Sequence, residues 1–281
     1  AGREGTFTGV LDLRGMVKIV NACMMVKAAK NPAYSPAFDR AFLQWARDYT
    51  NWLQTSGIGK KTGTRPNNHG SFFVSQLASL LLFQGDTAGA KRLLDSFFHG
   101  AFKDQIAKNG DQPFESMRTR PYHYRAFNLE ALITNAKIGA ELGVDYWSVP
   151  SKYGKTIQDA VDYAMNTKSG KEDVSELLPH VAAVAAAYGD AKGTRRRSLT
   201  RSKYDQPAAV SVQKSKRAAV KVVRDDGVSS GPGAVDTPPS ECPAVFKLLG
   251  ETEVEVDNGL FVTCEMLKPY YEVPALPSPE Q

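Results

Sequence analysis

The sequence predicts an all-α protein, and three observations carry the prediction. From Leu11 to about Tyr188 apolar residues recur at three- and four-residue steps, the period of a helix with one buried face. No stretch of that span alternates apolar and polar residues as a half-buried strand does. Gly, Pro and Asn signals such as Asn31-Pro32, Gly85-Asp86, Asn109-Gly110 and Gly143 cut the span into helix-length pieces. The clearest piece carries Phe38, Phe42, Trp45, Tyr49, Trp52 and Leu53, an aromatic stripe expected to face the core. Further helices are expected over roughly 10–29, 70–84, 86–98, 126–142, 155–166 and 173–188. Helix pairs with short connections suit a solenoid or a closed ring, and no fixed-period repeat marks a solenoid. The expectation is therefore an (α/α) toroid of antiparallel helix pairs.

The character of the chain changes after Tyr188-Gly189-Asp190. Residues 191–225 carry 11 basic and 2 acidic residues, and residues 226–281 carry 2 basic and 10 acidic. The formal net charge of +5 is therefore made largely by one short segment, which removes most of the force of a nucleic-acid reading. The run Arg195-Arg196-Arg197 and the later Ser229-Ser230-Gly231-Pro232-Gly233 predict a disordered linker. Beyond it, Thr252-Glu253-Val254-Glu255-Val256, Asp257-Asn258-Gly259 and Leu260-Phe261-Val262-Thr263-Cys264 read as a β-hairpin, which needs a surface to pack on. The expected division is a helical domain over 1–193, a linker over 194–240, and a short tail over 241–281 in which the hairpin lies. Disorder is expected for most of the chain beyond the helical domain. Cys23 sits among apolar neighbours as a buried thiol, and Cys242 and Cys264 are candidates for a pair. No segment approaches the ~20 apolar residues of a membrane-spanning helix.

Two polar clusters stand out of the helical text. Asn67-Asn68-His69-Gly70 and Arg118-Thr119-Arg120-Pro121-Tyr122-His123-Tyr124 have no packing use in a helical core. They do suit an acidic sugar. The C5 proton of a uronic acid is weakly acidic because it adjoins a carboxylate, and removing it adds charge to a group already charged. Amide, imidazole and guanidinium donors at that carboxylate stabilise the developing enolate-like species, which is work for Asn68, His69 and Arg118. A base must then take the C5 proton and an acid must deliver one to the departing O4; Tyr124 is the candidate for both steps.

These stretches, together with Gln112-Pro113-Phe114-Glu115 and the continuation Arg125-Ala126-Phe127-Asn128-Leu129-Glu130, resemble the alginate lyase-like superfamily of polysaccharide lyases from about Gly5 to Gly193. The closest pattern is that of the glucuronan lyase branch. The resemblance implies an (α/α) toroid with a cleft and a cofactor-independent β-elimination of 1,4-linked uronans. Position by position it implies Asn68 and His69 as the carboxylate-neutralising pair, Arg118 as the assisting arginine, and Tyr124 as base and acid. Bacterial alginate lyases carry one more residue between arginine and tyrosine than lies between Arg118 and Tyr124, which favours glucuronan over polymannuronate. Members of the family also carry more helix ahead of the Asn-Asn-His motif than the residues before Asn67 supply, so part of the toroid is expected to be missing. The resemblance implies an acidic polysaccharide partner, and that substrate class a secreted source. The protein is expected to be a monomer, and the localised charge and the lack of a long apolar segment argue against nucleic acid and membrane as partners.

Each residue also has a structural reading. Asn67 is a candidate for sugar contact and also suits a helix N-cap. Arg120, Tyr122 and His123 are candidates for sugar contact or for ordinary packing and ion pairing. Gln105, Gln112 and Glu115 are candidates to line the cleft or to sit in a surface loop. His99 and His180 read as structural, and the four histidines lack the spacing of a metal site. Two competing functions remain open: a glycoside hydrolase, which needs two carboxylates such as Asp104, Asp111 or Glu115 flanking the bond, and a non-catalytic uronan-binding protein.

Overall fold

The computed structural model describes residues 5–191, 193–195 and 242–272. The chain is mostly helical, and strand is confined among these residues to one hairpin. After a 3₁₀ turn at Phe7–Leu13 come α1 (Met16–Ala28), α2 (Pro36–Thr55), α3 (Gly57–Gly63), α4 (Asn68–Phe83), α5 (Thr87–His99), the single turn α6 (Pro113–Ser116), α7 (Pro121–Glu141), α8 (Ile157–Asn166) and α9 (Leu178–Tyr188). The C-terminal unit consists of α10 (Ala244–Leu249), β1 (Glu253–Asp257), β2 (Leu260–Thr263) and α11 (Cys264–Tyr271).

Local signals set the ends of these elements. Ser35 accepts from Phe38 N–H ahead of Pro36 to start α2, Asp86 accepts from Gly89 N–H to start α5, and Thr156 with Asp159 forms a capping box on α8. The helix expected from residue 126 begins five residues earlier, because Pro121 fits the first helical position and carries the second polar cluster onto α7.

α4 is the centre of the fold. It is buried on every face from Asn68 to Leu81, packed by α1, α2, α3, α5 and α7, which explains its nearly continuous apolar text. Its polar residues are satisfied across the packing: Ser75 bonds Asn135 at 2.9 Å, and Gln76 donates to the Val10 carbonyl at 3.1 Å while accepting from Tyr49. Leu53, Leu80, Leu94, Phe98, Leu129 and Leu132 complete the main core.

The aromatic stripe of α2 departs from expectation. Its rings stack on one another from Phe38 through Phe42, Trp45 and Tyr49 to Trp52, yet Phe38, Trp45 and Trp52 are 47%, 37% and 38% exposed. Only the side holding Ala46, Thr50 and Leu53 reaches the core; the aromatics lie at its margin. Cys23, expected to be buried, is half-buried.

The tail expected to be largely disordered is folded over 242–272, whereas most of the predicted linker and basic run lies outside the described residues. β1 and β2 pair antiparallel, Val254 opposite Val262, around a turn in which Gly259 takes the positive φ of 73° that an L side chain resists. Cys242 and Cys264 form a disulfide with Cα atoms 5.4 Å apart. Val254, Val256 and Val262 of the hairpin pack with Val245, Phe246, Leu267 and Tyr271 and with Ala107 and Phe114 of the helical body, which supplies the needed surface. Asp104 anchors the unit further by accepting from Ala244 N–H at 2.6 Å.

Candidate active site

The first turn of α4 brings Asn68 and His69 to one end of the central helix, and the segment before α7 brings Arg118 beside them. Gly70 makes the first approach possible: a Cβ there would lie 2.0 Å from the Arg65 carbonyl oxygen. The loop before α4 therefore folds tightly over the helix end, and Arg65 joins the cluster. Asn67 occupies the N-cap position but its side chain does not cap. Its Nδ2 instead donates to the Val256 carbonyl at 2.7 Å. The capping role falls to Glu115, whose Oε1 accepts from Asn68 N–H at 2.7 Å while its two oxygens accept from Asn68 Nδ2 at 3.1 and 2.9 Å.

Glu115 is 1% exposed and Gln112 is 2% exposed, so neither lies in a surface loop and neither faces solvent. Gln112 accepts from Asn128 Nδ2 at 2.8 Å and donates to the Arg125 carbonyl at 3.2 Å. Gln105 bonds Ser71 and Asn128 in the same buried network. These groups form the floor that fixes the start of α4 against α7. Burial pushes the Glu115 carboxyl up to about 7, with Arg118, 3.8 Å away, and the bonds from Asn68 pulling it back.

Arg118 is 5% exposed and is gripped from three sides: by Glu115, by the Val256 carbonyl at 3.3 Å from Nη1, and by the Asp257 carboxylate on Nη2. Its guanidinium carbon lies 3.8 Å from the centroid of the Tyr124 ring. His69 is 2% exposed, meets Phe7 edge-on at 5.1 Å, and has its Nε2 4.0 Å from Asp257 Oδ1. Neither of its ring nitrogens has a hydrogen-bond partner among the described residues, nor do the Oδ1 atoms of Asn67 and Asn68. Burial pulls His69 down to about 4, opposed by Asp257 and assisted by Arg118 and Arg65, so the ring is neutral at pH 7. A neutral ring can donate one hydrogen bond, and the positive charge beside it comes from arginine.

The structure thus brings together Asn67, Asn68, His69, Arg118 and Tyr124. It directs Arg120, Tyr122 and His123 elsewhere. His123 Nδ1 lies 2.6 Å from Glu176, Arg120 pairs with the same carboxylate at 3.7 Å, and Tyr122 is buried, with its backbone N–H and that of His123 donating to Glu172. His180 is buried and His99 bonds the Asp95 carbonyl. The carboxylates that a hydrolase would use are also committed. Asp111 pairs with Arg125 at 2.8 Å, Asp104 with Lys152 at 2.6 Å, and Glu115 with Asn68.

Residues the sequence did not single out complete the site. Arg65 Nη1 donates to the Glu255 carbonyl at 2.9 Å, Lys61 pairs with the Glu255 carboxylate at 2.6 Å, and Asp257 faces Arg118 and His69. Arg65 is signalled only by its place two residues before the Asn-Asn-His run. Nothing in the sequence joins residue 257 to residue 118. Beside these contacts a groove of about 420 Å³ opens between Lys61 and Arg65 on the body and Glu253, Glu255 and Phe261 on the hairpin.

The helical body thus sets an imidazole and a guanidinium against the Asp257 carboxylate, with the Tyr124 ring stacked on the guanidinium and the Asn67 and Asn68 amides bonded to Val256 and Glu115 beside them. The family model for alginate lyase matches residues 1–174, and the chain belongs to that family. A crystal structure of an alginate lyase from Bacteroides ovatus superposes with a TM-score of 0.64 at 22% sequence identity, over 72% of this chain and 56% of that one. That likeness establishes the shared fold, and this chain spans a little over half of the neighbour's length. No curated protein matches the chain.

Proposed function

We propose that the chain acts as a polysaccharide lyase on a 1,4-linked uronan, with Asn68, His69 and Arg118 holding the substrate carboxylate and Tyr124 moving the proton. The observation that carries this reading is that Arg118 pairs with a carboxylate, that of Asp257, which His69 also faces, while Arg118 lies on the face of Tyr124 and Asn68 beside them is held by Glu115. In the proposed step Tyr124, entering as the phenolate, takes the C5 proton and becomes the phenol. The C–H electron pair becomes the C4–C5 double bond, the C4–O4 bond breaks, and the departing oxygen receives a proton from the same phenol. In glucuronate and mannuronate the C5 hydrogen and O4 lie on the same side, so one tyrosine reaches both. Neutral His69 donates to a carboxylate oxygen, Arg118 balances the charge that grows there, and the Asn68 amide exchanges its bond to Glu115 for one to the substrate.

Glucuronan is the preferred substrate over polymannuronate, on the Arg118 to Tyr124 spacing. The helical body is proposed as part of an (α/α) toroid, and the protein as a secreted monomer. The test is a panel of uronans that includes glucuronan and polymannuronate. Products should carry the ultraviolet absorbance of a conjugated unsaturated uronate at the new non-reducing end. New reducing ends without that chromophore would mean hydrolysis, and the elimination reading would be lost.

A further inference from the structure

The carboxylate held by the body belongs to the chain itself. Asp257 ends β1, where its oxygens face Arg118 and lie 4.0 Å from His69 Nε2; one residue earlier the Val256 carbonyl accepts from Asn67 and Arg118. A carbonyl and a carboxylate side by side offer the body the same acceptors as a uronate with its neighbouring oxygens. We infer that the C-terminal hairpin is an internal ligand of this site, a tethered competitor that an acidic oligosaccharide must displace. The inference rests on the reading of His69 and Arg118 as holders of the substrate carboxylate.

Three features of the structure fit displacement as a unit. Most of the hairpin's apolar partners, Val245, Phe246, Leu267 and Tyr271, lie within the C-terminal unit, with Ala107 and Phe114 the contribution of the body, and the Cys242–Cys264 disulfide closes the unit on itself rather than onto the body. The contacts at the seat are ionic and polar. Lys61, Arg65 and Arg118 on the body meet Glu255 and Asp257 on the hairpin, and a polyuronate would bring the same charges. Finally, the groove along this seam leaves Lys61 half-exposed on the body, with Arg65 buried in its wall and Glu251, Glu253 and Glu255 on the hairpin side, so an incoming polyanion is drawn to Lys61 and repels the hairpin. Under such competition, apparent affinity falls in proportion to the fraction of molecules with the seat open.

The experiment titrates the full chain with a glucuronate oligosaccharide by calorimetry, comparing wild type, Asp257→Asn and, as a control on an exposed position of α11 away from the groove, Glu265→Gln. Loss of the Asp257 charge should tighten binding by roughly tenfold or more. Glu265→Gln should leave it unchanged. On the unaltered chain, saturating oligosaccharide should speed backbone hydrogen exchange across residues 253–263. Equal or weaker binding by Asp257→Asn, absence of binding in both chains, or retained protection of 253–263 under saturating ligand overturns the inference. Tighter binding by Asp257→Asn with no unsaturated product would keep the internal ligand and sink the lyase reading. Elimination by wild type with no gain in affinity for Asp257→Asn would do the reverse.

Discussion

Replacing Glu115 by glutamine should change how stability responds to pH. The carboxyl has an ordinary value near 4.5 in the unfolded chain and is pushed up to about 7 by burial in the folded one. Between those limits the folded protein keeps a proton that the unfolded chain releases. The stabilisation from this group is therefore fully present below pH 4.5 and is lost as pH rises through 7. The difference of about 2.5 pKa units corresponds to on the order of 3 kcal/mol. His69 and His180, both pulled down to about 4 by burial, act with the opposite sign: their contribution is present above pH 6.5 and is lost as pH falls through 4. In the wild type these slopes oppose one another. In Glu115→Gln only the histidine slope remains, so stability should climb more steeply between pH 4.5 and 7 than in the wild type. Urea unfolding at intervals across that range measures it. The level of the Glu115→Gln curve will also drop, because a glutamine cannot accept both bonds from the Asn68 side chain, but the diagnostic is the slope. Parallel curves would mean that Glu115 is ionised throughout and held by Arg118, and the assignment of a buried acid under Asn68 would be wrong.

Other outcomes rest on the same contacts. Leu132→Ala opens a cavity in a fully buried position of α7 and should cost about 2–5 kcal/mol in the same unfolding experiment. Cys242→Ser removes a cross-link between cysteines 22 positions apart and should destabilise the C-terminal unit by about 3 kcal/mol. Hydrogen exchange should quicken across the hairpin and stay slow in α4. Arg118→Lys keeps a cation but loses the planar fork that reaches Glu115, Val256 and Asp257 together, and should lower turnover by roughly ten- to a hundredfold. Wild-type turnover in that variant would show that point charge is sufficient.

Periodicity and punctuation make the helices legible because they act over a few residues. The start of α7 is harder to place because Pro121 reads equally as a turn residue and as a first helical residue. The α2 stripe misleads for a different reason. Helical spacing identifies a common face, but whether that face meets a partner is decided by residues far away in sequence, and here Phe38, Trp45 and Trp52 remain partly in solvent. At the site, Asn68, His69, Arg118 and Tyr124 stand out because polar clusters in apolar helices have few structural uses. Gln112 and Glu115 do not stand out as buried, since a Gln-Pro-Phe-Glu stretch reads as a loop until Asn68 and Asn128 are known to lie against it. The hairpin is legible from its alternation and turn. Its seat on Arg118 is not, because ion pairs between residues more than a hundred positions apart leave no local pattern.

The most direct test of the division of labour compares Tyr124→Phe with the wild type on a uronan, in both the natural chain and the Asp257→Asn background, with the unsaturated product measured by ultraviolet absorbance and oligosaccharide affinity by calorimetry. Removal of the phenolic oxygen should cut elimination by at least ~10²-fold in both backgrounds while affinity stays within a few-fold, because the carboxylate remains held by Asn68, His69 and Arg118. Elimination by Tyr124→Phe at the wild-type rate would contradict the assignment of the proton transfer to Tyr124.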